Sequence, residues 1–231
     1  MGLIEYFGSL DPVKLLGNLP GGIGQGLIWG MMALGVYITF RLLDFADLSV
    51  DGTFATGGAV TVMLLLAGVP APAAILIAVL AGLIAGCVTG LLHTLLGIPA
   101  ILSGILVQFM LYSINLRIMG MASNKAISVD KYDLILSSRY VSSAILTGAI
   151  FVLVLIAVMY WYFGTEQGSA IRATGTNPAM SKAQGIHISA MKVIGLALSN
   201  GLVALAGGLM AQYQGFADVS MGRGAIVIGL A

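Results

Sequence analysis

The sequence predicts an all-α polytopic membrane protein, and three observations carry that prediction. Only 8% of the 231 residues are charged while 59% are apolar, with a mean hydropathy of +1.04. An ordinary soluble domain devotes about a quarter of its residues to charge, so this chain could not cover a water-facing surface. The apolar residues fall in long runs separated by short polar knots, and a helix needs about twenty such residues to cross the hydrocarbon. The 32 glycines suit helices in lipid, where small residues let backbones approach closely. A net charge of +1 gives no electrostatic case for nucleic acid. Cys87, the single cysteine, lies in an apolar run and reads as a small buried hydrophobe. Glu5 and Asp11 stand where a basic leader would be expected, so a signal peptide is not predicted.

Residues 1–20 mix apolar positions with Glu5, Asp11 and Lys14 and read as a short amphipathic helix at the interface, ending near Pro20. Gly21 to Leu43 is the first span. A polar knot follows, with Arg41, Asp44, Asp47, Ser49, Asp51 and Thr53. Phe54 to Ala67 is a short second span, closed by the turn signal Val69-Pro70-Ala71-Pro72. Ala73 to Gly97 is the third, with His93 near its end. After Ile98-Pro99, the stretch Ala100 to Ile114 is marginal in length and reads as a broken or re-entrant helix. Residues 115–143 are polar, and Val129 to Asp133 cannot sit in lipid. Ala144 to Phe163 is the fifth span, ending in the aromatic belt Tyr160-Trp161-Tyr162. A second polar segment, Gly164 to Ser189, precedes the sixth span, Met191 to Gln212.

One phrase occurs twice. Phe45-Ala46-Asp47-Leu48-Ser49 returns as Phe216-Ala217-Asp218-Val219-Ser220, 171 positions on, and residues 21–52 laid on 192–223 share ten identities without a gap. Five apolar runs separate the copies, which puts them on opposite faces and makes the duplication inverted. Inverted repeats with broken helices are a recurring transporter plan. On that reading about six spans are visible, and the second repeat would continue into C-terminal spans that are missing from this sequence.

The segment Gly164 to Ser189 holds a compact helix signature. Asn177 suits an N-cap, Pro178 the first helical position, and Gly185 a left-handed C-terminal cap. Ala179 to Gln184 between them make about two turns, too short to be stable alone in water. On spacing alone an ordinary inter-helix loop fits as well.

The run from Ala173 to Ile186, with Gly175, Asn177, Ala183 and Gly185, resembles the cytoplasmic coupling segment of bacterial ABC importer permeases, in the branch that carries branched-chain amino acids and ribose. Asp47 to Gly52, Gly97 to Leu102 and Gln214-Gly215-Phe216 resemble further segments of those proteins, and Leu111 to Gly120 is similar to an uncharacterised, amino-acid-type subgroup. The spacing departs slightly after Asn177, with Ala183 six positions on and Gly185 two beyond it. The resemblance implies a single permease domain over 1–231: interfacial helix 1–20, first repeat 21–163, coupling segment 164–189 and the start of a second repeat at 190–231. It implies that Arg172, Gly175, Asn177, Pro178, Ala179, Met180, Lys182, Ala183, Gly185 and Ile186 dock on a separate ATPase. It also implies a dimer of that ATPase inside, holding ATP and magnesium, an extracytoplasmic solute-binding protein, a second permease copy as homodimer or heterodimer, and residence in the bacterial inner membrane. Placing 164–189 in the cytoplasm leaves Lys14, Arg117, Lys125, Lys131, Arg139 and Arg223 outside against Arg41, Arg172, Lys182 and Lys192 inside. The basic-residue balance favours the other orientation; the coupling resemblance decides the assignment.

Among polar residues at membrane depth, Asp47, Ser49, Asp51, Asp218 and Ser220 stand at helix breaks. They fit helix-capping groups, with substrate contact as the alternative. Gln108, Asn115 and Asn200, with Ser103, Ser113 and Ser199, fit either a polar pathway or interhelical hydrogen bonds. His93 and His187 have no partner cluster, so no metal site is expected. No Walker lysine motif, G-x-S-x-G or H-E-x-x-H occurs, so no cofactor and no catalysis are expected in this chain. Two functions remain open at this point: the permease of an ATP-driven importer of a small polar solute, or an inverted-repeat secondary transporter or channel without an ATPase.

Overall fold

The computed structural model describes residues 12–128, 132, 134–139 and 141–230. The chain is helical: α1 (Pro12–Tyr37), continued by a π-helical turn (Ile38–Leu42), α2 (Val50–Leu66), α3 (Ala71–Leu95), α4 (Ala100–Ile118), α5 (Val141–Phe163), α6 (Glu166–Thr176), α7 (Pro178–Ala183), α8 (Ile188–Gln214) and α9 (Ala225–Leu230). Two short strands, β1 (Asn124–Ala126) and β2 (Phe216–Asp218), pair antiparallel with Lys125 opposite Ala217.

Among the described residues, five helices are long and apolar enough to cross a membrane: Leu19–Leu42, Ala71–Leu95, Ala100–Ile118, Val141–Phe163 and Ile188–Gln214. The short second span is seen, and two expectations are corrected here, the break at 100–114 and the helix end at Pro20. The second of the six spans is the 17-residue helix α2. At 1.5 Å per residue it covers about 25 Å, less than the roughly 30 Å hydrocarbon core. It is also buried along most of its length, so protein encloses it where a lipid-facing helix would need more residues. Conversely, the stretch at 100–114 is no fragment: α4 continues unbroken for 19 residues to Ile118. Helix α2 is not re-entrant: it starts beside the first phrase, and its last turn holds Leu65, which packs with Ala71, Ala217 and Val219 at the second. The helix end expected at Pro20 is also absent, since α1 runs through that proline; membrane helices tolerate the lost N–H because neighbours re-satisfy the freed backbone. Residues 1–11 of the predicted interfacial helix, and most of the polar run at 129–133, lie outside the described residues.

Helix α8 is the axle of the bundle. It packs on α1, α2 and α3, and glycines set the spacing. A Cβ on Gly82 or Gly86 of α3 would strike the backbone of Asn200 or Leu196, and one on Gly57 of α2 would strike Ala204. Gly207 of α8 leans on the Phe54 carbonyl in the same way. Without water to exclude between helices, this close approach is a main source of cohesion in lipid. Helix α5, by contrast, is peripheral and exposes Leu146, Leu153 and Trp161.

The repeated phrase folds the same way in both copies. The Asp47 carboxylate accepts the Ser49 N–H at 2.8 Å, and the Asp218 carboxylate accepts the Ser220 N–H at 2.6 Å. Each is an Asx-turn, in which a short acidic side chain replaces a backbone acceptor. The residue before each phrase is left-handed: Asp44 at φ 50° and Gly215 at φ 77°. Helix contacts repeat too. Gly58 meets Gly207, and their partners 171 positions away, Gly229 and Val36, also touch. The equivalent positions Asp51 and Gly222 meet each other, since a Cβ on Gly222 would strike the Asp51 carbonyl. An internal two-fold axis therefore runs between them. The first phrase packs beside α6 at one end of the bundle, and the second pairs with β1 at the other.

A left-handed aspartate is tolerated better than a β-branched residue in the same place. Asp44→Gly is expected to leave thermal stability within about 0.5 kcal/mol of the parent, and Asp44→Val to lower it by about 1–2 kcal/mol. Thermal melts of the purified, detergent-solubilised protein measure both.

Candidate functional site

The polar residues singled out in the sequence divide into three groups in space. The first is a closed knot at the break between α1 and α2. Asp47, Ser49, Thr53, Thr89 and Asn200 are all fully buried. The Ser49 hydroxyl donates to Asp47 at 2.6 Å, and the Asn200 amide donates to the other Asp47 oxygen at 2.7 Å. Asn200 Oδ1 in turn accepts the Thr53 hydroxyl at 2.6 Å, and Thr89 donates to Ser49 at 3.2 Å. Asn200 also donates to the Leu196 carbonyl at 3.0 Å. Every member has a partner, which is the condition for a buried polar network to rigidify a core rather than weaken it. The knot ties together the break, α2, α3 and α8, and its groups are spent on one another.

The second group opens on a cavity of about 330 Å³ where the interruptions of the two repeats meet. Asp51, Gln108, Asn115 and Ser220 line it. Arg223, Phe109 and Tyr112 complete the lining. Along α4 the lining runs from Gln108, midway, to Asn115 in the last turn, so the cavity follows the C-terminal half of that helix. Asp51 was expected to cap the helix it begins. Instead its carboxylate accepts the N–H groups of Gly224 and Ile226, each at 3.2 Å, and so caps α9 in the opposite repeat. Ser49 stands at the N-cap of α2 but makes no side-chain cap bond, because its hydroxyl is turned to Asp47. Asp218 stays in its own turn beside β2. Among the described residues, Asn115 Oδ1 is buried without a hydrogen-bond partner, although its amide reaches the Gly52 carbonyl at 3.5 Å. A larger depression, about 770 Å³, lies between α1 and α5, but its lining is mainly apolar and aromatic, as suits a surface against lipid chains.

The third group is the segment between α5 and α8. Thr165 caps α6 by accepting the Gly168 N–H. Asn177 ends α6 and begins α7, its side chain accepting the Met180 N–H at 3.0 Å, with Pro178 in the first turn. At the other end Gly185 is left-handed at φ 84°. The Ile186 N–H reaches Ser181 and the Gly185 N–H reaches Lys182, the two bonds of a Schellman motif. Ser181 is buried, while Pro178, Ala179, Met180, Lys182 and Ala183 are exposed, as is Arg172 on α6. The helix is thus pinned at both ends and presents an open face. Helix α6 braces it: Gly175 meets the Leu42 carbonyl so closely that a Cβ would strike it, and Ile171 packs with Leu43, Phe45 and Leu196. Phe45 makes an edge contact with His93 at 5.0 Å between centroids. His93 donates from Nδ1 to the Ile98 carbonyl at 2.8 Å, which leaves Nε2 to accept from Lys192 at 3.1 Å. The segment therefore rests on the first break, one layer from the buried knot.

Sequence reasoning missed Arg223, Phe109, Tyr112, Thr53 and Thr89 as site residues. Arg223 had a signal, as a lone charge just after the second phrase. Thr53 had one too, as the last member of the polar knot; Thr89 had none, since threonine in a membrane helix usually bonds its own preceding turn, as Thr56 does.

A helical bundle with two interrupted helices, a polar cavity where they meet and a braced polar segment at one end is the architecture of a membrane permease. Residues 18–231 match the family described as the permease component of branched-chain amino acid transport systems, and the chain belongs to that family. It is 44% identical over 207 residues to the tyrosine transport system permease protein of Clostridioides difficile, an alignment covering 90% of this chain and 68% of the relative. It is 33% identical over 207 residues to an uncharacterised protein of Rickettsia prowazekii, covering 89% of this chain and 72% of that one. No solved structure matches the chain. It is a multi-pass membrane protein and the permease component of an amino acid transport system.

Proposed function

We propose that this chain is the membrane subunit of an ATP-driven importer, with the α6–α7 end in the cytoplasm. Two copies of a separate ATPase bind there, a solute-binding protein docks at the opposite face, and a second permease copy completes the assembly. ATP and magnesium belong to the ATPase; this chain carries the solute and no cofactor. The solute is an amino acid, and the name of the relative from Clostridioides difficile supports an aromatic one.

The observation that carries this reading is the construction of the segment at 164–189. A six-residue helix has little stability of its own, yet here it is capped at both ends, open on one face and braced through Gly175 against the break before Asp47. A push on Met180 and Lys182 is delivered to that break rather than absorbed by a loop.

Asn177→Leu removes the N-cap, and Gly185→Val forces a β-branched residue into a left-handed turn. Each is expected to weaken ATPase co-purification by about tenfold, from roughly 1–2 kcal/mol of lost helix order, while the permease still elutes as a folded species. Undiminished co-purification by both variants would overturn the coupling role.

A further inference from the structure

We propose that the cavity between the two interrupted helices binds a zwitterionic α-amino acid, with its carboxylate at Arg223, its ammonium at Asp51 and an aromatic side chain against Phe109 and Tyr112. The proposal rests on the transport reading above and names the site within this chain.

Charge is rare in this protein, yet a carboxylate and a guanidinium line the same 330 Å³ cavity. Ionisable groups lining a cavity between the helices of a membrane bundle mark solute or ion paths. A guanidinium presents a planar fork that matches a carboxylate. The turn that carries it is built for position: Arg223 N–H bonds the Ser220 carbonyl, and Gly222 is pressed against Asp51 across the internal axis. Asp51 is held by Gly224 and Ile226, one N–H on each oxygen. A carboxylate oxygen accepts more than one hydrogen bond, so both oxygens keep capacity for an ammonium.

The independent observation is Asn115. It is fully buried, lines the cavity, and its Oδ1 has no partner. An open acceptor in that setting costs free energy until a donor arrives, and an ammonium is such a donor. A sugar or other neutral solute would have no need of opposite charges in one small cavity. Phe109 and Tyr112 are both exposed, and aromatic rings prefer aromatic neighbours. The walls also come from both repeats, α2 and the 219–223 turn, so relative motion of the repeats would change access to the solute.

The test is competition against radiolabelled L-tyrosine on the purified permease in nanodiscs. Tyramine lacks the carboxylate and 4-hydroxyphenylpropionate lacks the ammonium. The wild type is expected to bind each analogue at least about tenfold more weakly than tyrosine. Arg223→Gln should lose tyrosine affinity by a similar factor and leave tyramine unchanged, with Arg223→Lys intermediate. Asp51→Asn should weaken tyrosine and leave 4-hydroxyphenylpropionate unchanged. The wild-type comparison needs no variant to fold. Equal binding of tyrosine and both analogues, no saturable binding, or discrimination that survives both substitutions overturns the site. If ATP-driven amino acid uptake by the intact assembly persists alongside any of those results, only the site fails. If the assembly takes up no amino acid, the transport reading fails with it.

Discussion

Asn200→Leu is expected to be the most damaging single substitution in the bundle. It removes the amide that donates to Asp47 at 2.7 Å and the carbonyl that accepts from Thr53 at 2.6 Å, inside a knot with no access to water. Leaving a buried carboxyl acceptor short of a donor costs about 1–3 kcal/mol, beyond the net worth of the bond itself. The expected readout is a marked fall in melting temperature of the purified permease, with protection lost first in α2 and the start of α8 by hydrogen exchange. The double variant Asp47→Leu/Asn200→Leu removes both partners and should recover a large part of that loss, because the desolvated carboxylate is gone. If the single variant melts like the parent, the knot does not hold the break.

The second large effect is expected at Gly175. A valine there would drive its Cβ into the Leu42 carbonyl, and neither backbone can yield without separating α6 from the break. Overpacking of this kind costs about 1–3 kcal/mol, concentrated in the contact that carries force from α7 to Asp47. The predicted phenotype is uncoupling: the ATPase still binds, because the open face of α7 is untouched, but uptake in proteoliposomes falls by tenfold or more while hydrolysis continues. Gly175→Ala should be milder in degree but the same in kind. Normal uptake by the valine variant would show that the segment does not act through the break.

Much of this was legible in the sequence, for local reasons. The caps of α7 are read from Asn177, Pro178 and Gly185 because capping depends on neighbours a few residues away. The repeated F-A-D-x-S phrase announced two equivalent breaks because an Asx-turn is made within three residues. What stayed hidden depends on distant partners. Asp51 caps a helix 173 positions away in the other repeat. Arg223 joins Asp51, Gln108 and Asn115 only once both breaks are folded. Both α2 and α4 are longer than the apolar runs at 54–67 and 100–114 that announced them, because apolar composition does not say where a polar knot ends. The knot residues up to Thr53 belong partly to α2, and the polar Asn115 and Arg117 belong to α4. The axial contact of Asp51 with Gly222 left no local trace, although the 171-residue shift of the repeated phrase relates the two positions.

In-cell photo-crosslinking from position 180 tests the central claim most directly. Met180 is 58% exposed on the open face of α7, so a benzoylphenylalanine placed there should not disturb the caps. The account predicts a single major adduct with a nucleotide-binding ATPase subunit, lost in the Gly185→Val background. Adducts with lipid or with the permease alone, and none with an ATPase, would contradict it.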